Sequence, residues 1–247
     1  MPNYVMNEVT FRGNEEEIKK LRALLKSNIN EFDFNKIIPM PESLNLEDGS
    51  DTEVAIQAAK AKRAGKIHCD YIEERIWARE RHTYDEWAAI GEKYLQNIDK
   101  YGFPTWYGWR NKNWGTKWNS DDVEWIADST VRFTTAWSTP QPVFEKISEL
   151  FPNLTFYVLF ADEDIGNNCG HIWYEEGNFN VEYDGDVELA CELWGLDPSE
   201  IERCEEEDYE SAVWQDGYDE DDEYDDEELE TEELTNEHER VFTAAGN

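Results

Sequence analysis

Cysteine and basic residues are scarce in this sequence, and it contains no long apolar run. The four cysteines, Cys69, Cys169, Cys191 and Cys204, include no CxxC pair. They are too few and too scattered for the disulfide framework of a small secreted domain, so we expect reduced thiols. No stretch approaches the roughly 18 to 20 apolar residues of a membrane helix, and MPNYVMNEVTF lacks the order of a signal peptide. These absences predict a cytoplasmic protein that does not span a membrane.

Acidic residues greatly outnumber basic ones. The chain has 58 Asp and Glu residues against 22 Lys and Arg residues, which gives a formal net charge of -36. Residues 184–247 hold 27 of the acidic residues and 2 of the basic ones. Binding to DNA phosphates requires clustered Lys and Arg, so direct DNA binding is predicted to be unfavourable. The expected partner is a basic surface of a host protein.

Hydrophobic periodicity predicts an α+β domain over residues 1–183. Alternating apolar residues predict strands near 3–11, 131–137 and 154–160, and a closing hairpin over 170–183. Helices are predicted after the first strand, where Asn14 can act as the N-cap, and between the second and third strands. The sheet is therefore expected to be antiparallel or mixed.

Three further segments complete the predicted organisation. Residues 51–65 and 70–98 have helical spacing and predict a helical insertion at about 50–100. Glycines and a proline in the aromatic-rich segment 103–118 favour a loop or a short strand pair. Residues 184–247 are predicted to form an acidic C-terminal helix and a partly disordered tail.

Five segments of the sequence resemble one known family. They are NYVMNEVTFRG, FDFNKIIPMPESL, WRNKNWGTKW, FTTAWSTPQPV and FPNLTFYVLFADEDIGNNCG. Together they resemble the YubB-type family of phage and conjugative-plasmid proteins over roughly residues 1–183. The resemblance implies a ferredoxin-like antiparallel sheet, with helices on one face, and a setting on mobile elements. It supplies no catalytic residue, because the family has no known function.

The acidic tail is the first candidate site. The residues expected to contact a basic partner are Asp219, Asp221, Asp222, Asp225, Asp226, Glu227 and Glu228. If residues 216–233 were helical, they would present one carboxylate per roughly 2 Å of axis, close to the ~1.7 Å charge spacing of duplex DNA. This density suggests DNA mimicry by an accessory or counter-defence protein of a phage or plasmid. The alternative is a disordered tail that serves solubility.

The aromatic-rich segment is the second candidate site. Its relevant residues are Trp106, Trp109, Arg110, Trp114, Lys117 and Trp118. Aromatic faces interleaved with cations are typical of modules that bind single-stranded nucleic acid. The competing interpretation is that the tryptophans fill the core, where each would bury on the order of 200 Å².

Other clusters of polar residues give weaker signals. Basic residues over 60–82 could meet phosphates, the acidic tail or solvent. The run from Asp162 to Asp164 could hold Mg²⁺ but equally fits a loop. A zinc set from His68, Cys69, Cys169 and His171 has unsuitable spacing. The sequence therefore predicts a non-enzymatic protein without a metal or cofactor.

Overall fold

The computed structural model describes residues 3–175, 177–199 and 201. The strands are β1 (Tyr4–Arg12), β2 (Asp121–Ala127), β3 (Thr130–Ala136), β4 (Thr155–Asp162), β5 (Cys169–Glu175) and β6 (Asn178–Glu182). The helices are α1 (Glu15–Leu25), α2 (Ser50–Arg63), α3 (Asp70–Glu73), α4 (Ile76–Arg81), α5 (Tyr84–Tyr101), α6 (Trp106–Asn113), α7 (Gln141–Leu150) and α8 (Val187–Trp194). The acidic candidates from Asp219 to Glu228 lie outside the described residues.

The strands form one six-stranded sheet in the order β2-β3-β1-β4-β5-β6. Every neighbouring pair is antiparallel, which confirms the predicted α+β class. Alternate residues of β1, including Val5 and Val9, are fully buried and face the main core. The first strand therefore lies in the interior of the sheet, with a partner on each side.

Two helices pack on the inner face of the sheet. The Asn14 side chain caps α1 by accepting a hydrogen bond from Glu16 N at 2.8 Å, as its sequence position predicted. Leu21 of α1 and Phe144 of α7 are fully buried in the same core as Val9 and Phe133. This inner core fixes the positions of the strand ends where the candidate sites lie.

Helix α8 packs on the opposite, outer face of the sheet. Its Ala190 and Leu193 join Ala161 and Cys169 in a separate small cluster. The expectation that helices cover only one face of the sheet was therefore wrong, because apolar side chains of α8 pack on the other face. The compact unit that contains the sheet also includes this helix.

The helical insertion has its own core, built mainly between α2 and α5. Trp87 is buried there, and its Nε1 donates to the Ala78 carbonyl at 2.8 Å. The single helix predicted over 70–98 is instead three helices. The last one, α5, is capped by Thr83, whose side chain and that of Glu86 form a reciprocal capping box.

Five basic residues of the insertion are paired with carboxylates of the same insertion. Arg63 donates two hydrogen bonds to Glu92, at 3.0 and 2.6 Å. Lys62 lies 2.8 Å from Asp85. Arg75, Arg79 and Arg81 also form ion pairs with nearby acids. This surface is locally neutralised and solvated.

No helix among the described residues is both long enough and apolar enough to cross a membrane.

Candidate functional site

The aromatic-rich segment contains a helix, α6, where a loop or strand pair was expected. Pro104 precedes the helix, where the missing N–H has no cost. Gly108 allows the Phe103 ring to pack close by, since an added Cβ would lie 2.8 Å from that ring. Pro104 and Gly108 are therefore compatible with a helix here, because Pro104 lies before its first turn and Gly108 leaves room for the Phe103 ring.

Helix α6 and the turn after it send two tryptophans into the core. Trp114 is fully buried, and its Nε1 donates to the Ile38 carbonyl at 2.9 Å. Trp109 is 7% exposed and lies edge-on to Trp114, with 5.9 Å between ring centroids. Neither ring has a free face, so the prediction that Trp109 and Trp114 stack bases is corrected to a core role.

Arg110 is held between rings. Its guanidinium carbon lies 4.9 Å from the ring centroids of both Trp106 and Trp114, and its Nε donates to Met40 Sδ at 3.4 Å. Burial lowers the pKa of the Arg110 guanidinium. The predicted phosphate contact by Arg110 is therefore poorly placed, because this side chain is half-buried beneath Trp106.

Lys117 lies in a partly exposed group of rings, which we call the Lys117 cluster. Its Nζ is 4.8 Å from the centroids of both Trp118 and Trp137 and 5.8 Å from that of Tyr107. Tyr4 completes the cluster, with its ring 6.5 Å from Trp118. Within the part of the chain that the structure describes, Lys117 forms no ion pair. The cluster combines an ammonium group with stackable aromatic faces.

Trp137 reaches this position through an unusual backbone conformation. Its φ of 69° is in the left-handed region, which costs a non-glycine residue roughly 1–2 kcal/mol. The Trp137 N–H donates to Asn3 O at 2.8 Å, and its carbonyl accepts from Asn168 Nδ2 at 3.4 Å. The ring remains 43% exposed. Backbone strain of this kind is found at functional sites and needs such surrounding support.

The acidic run after β4 caps a turn. The Asp162 carboxylate is buried and accepts from Asn3 Nδ2 at 3.2 Å, Asp164 N at 3.0 Å and Asn168 Nδ2 at 3.4 Å. Its oxygens are thus used by the protein itself. Of the two interpretations, loop and Mg²⁺ site, these contacts fit the loop.

The described residues contain one group of three metal-ligand side chains, formed by His171, Glu182 and Asp184. His171 Nε2 lies 3.2 Å from Glu182, and its Nδ1 lies 2.9 Å from Asp184. The two carboxylates thus flank opposite nitrogens of the His171 ring, and one ligand atom from each of the three side chains lies within 4.8 Å of the others. The zinc set is not assembled, since His68 and Cys69 precede α3 in the insertion, whereas Cys169 and His171 are on β5.

Residues 113–215 match the family described as the ferredoxin-like domain in Api92-like protein. The match begins before β2 and continues past α8, beyond the described residues. Among solved structures, the crystal structure of protein api92 from Yersinia pseudotuberculosis has 9% sequence identity and a TM-score of 0.35, over 75% of this chain and 99% of that one. No curated protein matches this chain.

Sequence reasoning missed two members of the Lys117 cluster, Tyr4 and Trp137. Tyr4 begins the predicted first strand and Trp137 ends the predicted second one, and β1 and β3 are neighbours in a ferredoxin-like sheet. Tyr4 pairs with Ala136, so both rings reach the same sheet end. The pairing of Tyr4 with Ala136 could have shown that the two rings are neighbours, but only if the strand register had been predicted correctly.

Proposed function

We propose that this chain is a non-enzymatic binding protein whose acidic C-terminal segment occupies the basic, nucleic-acid-binding surface of a host protein. In this proposal the chain serves a phage or conjugative plasmid as an accessory or counter-defence factor, and the segment acts by DNA mimicry. The observation that carries the proposal is the concentration of 27 of 58 acidic residues in the last 64 positions. A charge density of this kind attracts a cationic surface and steers its approach.

The pairing of basic residues in the insertion supports the proposal. Arg63, Lys62 and Arg81 are the cations best placed on that surface, and each already faces a carboxylate of the insertion. Satisfied cations have little to gain from a second anionic partner. These paired cations are therefore less suited than a basic partner to neutralise the C-terminal segment.

Neutralising part of the acidic segment should reduce partner recovery. The test variant is full-length protein carrying Asp→Asn at 219, 221, 222, 225 and 226, which we call the tail-neutral variant. We expect a basic nucleic-acid-binding protein to be recovered from host lysate by the parent, displaced by duplex DNA, and recovered at least about fivefold less by the tail-neutral variant. Quantitative mass spectrometry of the bound proteins measures this.

A matched control removes five exposed charges from the folded unit instead. Its substitutions are Glu→Gln at 15, 42, 53 and 80 and Asp→Asn at 99, all exposed positions. This control should recover the partner as the parent does. Equal recovery by the parent and the tail-neutral variant would contradict the proposal, and equal losses in both variants would show that only net charge matters.

A second candidate function is supported by the Lys117 cluster, which would bind single-stranded nucleic acid. Trp137, Trp118 and Tyr107 offer ring faces on which bases can stack, and Lys117 offers a cation for a phosphate. In this candidate the stacking residues differ from those expected from sequence, because Trp109 and Trp114 are buried.

Removing the Trp137 ring should weaken binding of a short oligothymidine. Stacking is worth about 1–3 kcal/mol per base, so Trp137→Ala should raise the dissociation constant by about 5- to 150-fold at low salt. Lys117→Met should also weaken binding, whereas Lys112→Met, an equal charge change at an exposed position of α6, should not. Fluorescence anisotropy of labelled oligothymidine measures this, and identical affinities for all the variants would exclude the candidate.

A further inference from the structure

The outer face of the sheet carries a second surface, distinct from the Lys117 cluster. Helix α8 covers this face at Met6, Leu159, Ala161 and Cys169. Beyond that contact the face presents partly exposed rings of β4 and β5 beside carboxylates. We call this surface the outer acidic face and define it by Tyr157, His171, Trp173, Glu175, Glu182 and Asp184.

The rings of the outer acidic face form a short row across neighbouring strands. Tyr157 pairs with Trp173 in the sheet register, and their ring centroids are 5.8 Å apart. The His171 ring lies 5.3 Å from Tyr157. Such a row offers flat faces for groups that stack or carry positive charge.

Carboxylates border the rings on one side. Glu182 and Asp184 are held against the two nitrogens of His171, and their side chains remain 50% and 58% exposed. Burial, and then the carboxylates of Asp184 and Glu182, raise the pKa of the Tyr157 phenol. The negative potential of these acids therefore reaches the ring row.

A guanidinium of the chain already occupies one edge of the row. The Arg12 guanidinium carbon lies 5.7 Å from the centroid of the Trp173 ring. This contact shows that the Trp173 ring can receive an arginine. On the opposite side of the row, toward Glu182 and Asp184, the charge is negative and no arginine of the described residues contacts the rings.

The negative charge of the outer acidic face and the spacing of its rings indicate what kind of partner can bind there. The acidic C-terminal segment and nucleic acids have the same sign of charge as this face, so neither is complementary to it. In an extended peptide, alternate side chains point the same way and are about 6.6–6.8 Å apart. That spacing is close to the 5.8 Å between the Tyr157 and Trp173 rings, so successive arginines at alternate positions can reach both.

We propose that the outer acidic face binds an extended, arginine-rich segment of the protein partner, with guanidinium groups on Tyr157 and Trp173 and ion pairs to Glu182 and Asp184. This inference rests on the proposed function, since it gives the basic partner a second point of attachment. The acidic C-terminal segment supplies attraction, and the outer acidic face supplies directional contacts with planar guanidinium groups.

The test uses the tail-neutral variant as the background, so that five of the tail carboxylates that would compete for the probe are removed. The probe is a short fluorescein-labelled peptide of alternating arginine and serine, and the same peptide with citrulline in place of arginine is the neutral control. Fluorescence anisotropy at low salt should show saturable binding of the arginine peptide and none of the citrulline peptide.

Two further changes locate the binding. In the tail-neutral background, Trp173→Ala should weaken binding by about 2- to 30-fold through loss of the cation–π contact. Glu182→Gln with Asp184→Asn should weaken it to a similar extent without removing a packed ring. Glu163→Gln with Asp164→Asn, an equal change at the end of β4, should leave the affinity within about twofold of the background.

The outcomes separate this inference from the proposed function. Loss of all peptide binding in the tail-neutral background, with binding intact in the parent, would overturn the role of the face and leave the tail role standing. Unchanged affinity after Glu182→Gln with Asp184→Asn would also overturn it. A parent that binds neither lysate partner nor arginine peptide would contradict both proposals.

Discussion

Replacing Gly91 with alanine is expected to disrupt the core of the helical insertion. Gly91 lies in α5 where that helix crosses α2, and an added Cβ would overlap the backbone carbonyl of Ala55. The obstacle is backbone, so no side chain can rotate away and the two helices must separate. Overpacking of this kind costs typically 1–3 kcal/mol and occasionally more. Thermal and urea unfolding followed by circular dichroism measure the loss.

The control for this substitution is Lys93→Ala, two residues along the same helix at an exposed position. Alanine there keeps or slightly improves helix propensity, so its effect should be within about 0.5 kcal/mol. A Gly91→Ala variant as stable as the Lys93→Ala variant would contradict the close contact between the backbones of α2 and α5.

Replacing Trp114 with alanine should destabilise the sheet core by about 3–5 kcal/mol. The Trp114 ring is fully buried, and its centroid lies 5.7 Å from that of Phe34 and 5.9 Å from that of Trp109. Its Nε1 donates a hydrogen bond to the Ile38 carbonyl. Removing it leaves a large cavity and a carbonyl without its partner. Urea unfolding measures this change in the free energy of unfolding.

Trp106→Ala provides the comparison, because Trp106 begins the helix that Trp114 directly follows but is partly exposed. The Trp106→Ala substitution should lower the free energy of unfolding clearly less than Trp114→Ala does. Similar costs for the two substitutions would contradict the division of this segment into core and surface tryptophans. A folded Trp114→Ala variant that lost oligothymidine binding alone would restore the base-stacking role assigned to it from sequence.

Much of the fold was predictable from local patterns. The alternation that ends in Val9 and Phe11 predicted β1, and Asn14 before three glutamates predicted the start of α1. Strand β2 escaped prediction because most of its residues are exposed, and only Val123 and Trp125 pack against the core. Strand β2 forms because it pairs with β3. The sequence of β2 by itself does not show that this partner is available.

The candidate sites were less predictable than the fold, because their members come from distant parts of the chain. Composition pointed to an aromatic segment around Lys117, yet it could not separate Trp118, which is partly exposed, from Trp114, which is buried. The neighbours of Trp118 depend on strand register, which brings Tyr4 and Trp137 to the same sheet end. The outer acidic face needs the β4, β5 and β6 registers together before its rings and carboxylates meet.

The interior position of β1 has a consequence for synthesis on the ribosome. Strand β1 emerges before its partners β3 and β4, which end at Ala136 and Asp162. Until those partners have left the exit tunnel, the Val5 and Val9 side chains have no sheet to join. The insertion, whose helices α2 and α5 are close in sequence, can form earlier. Nascent chains should therefore acquire helical structure first and depend on chaperones to shield the waiting strand.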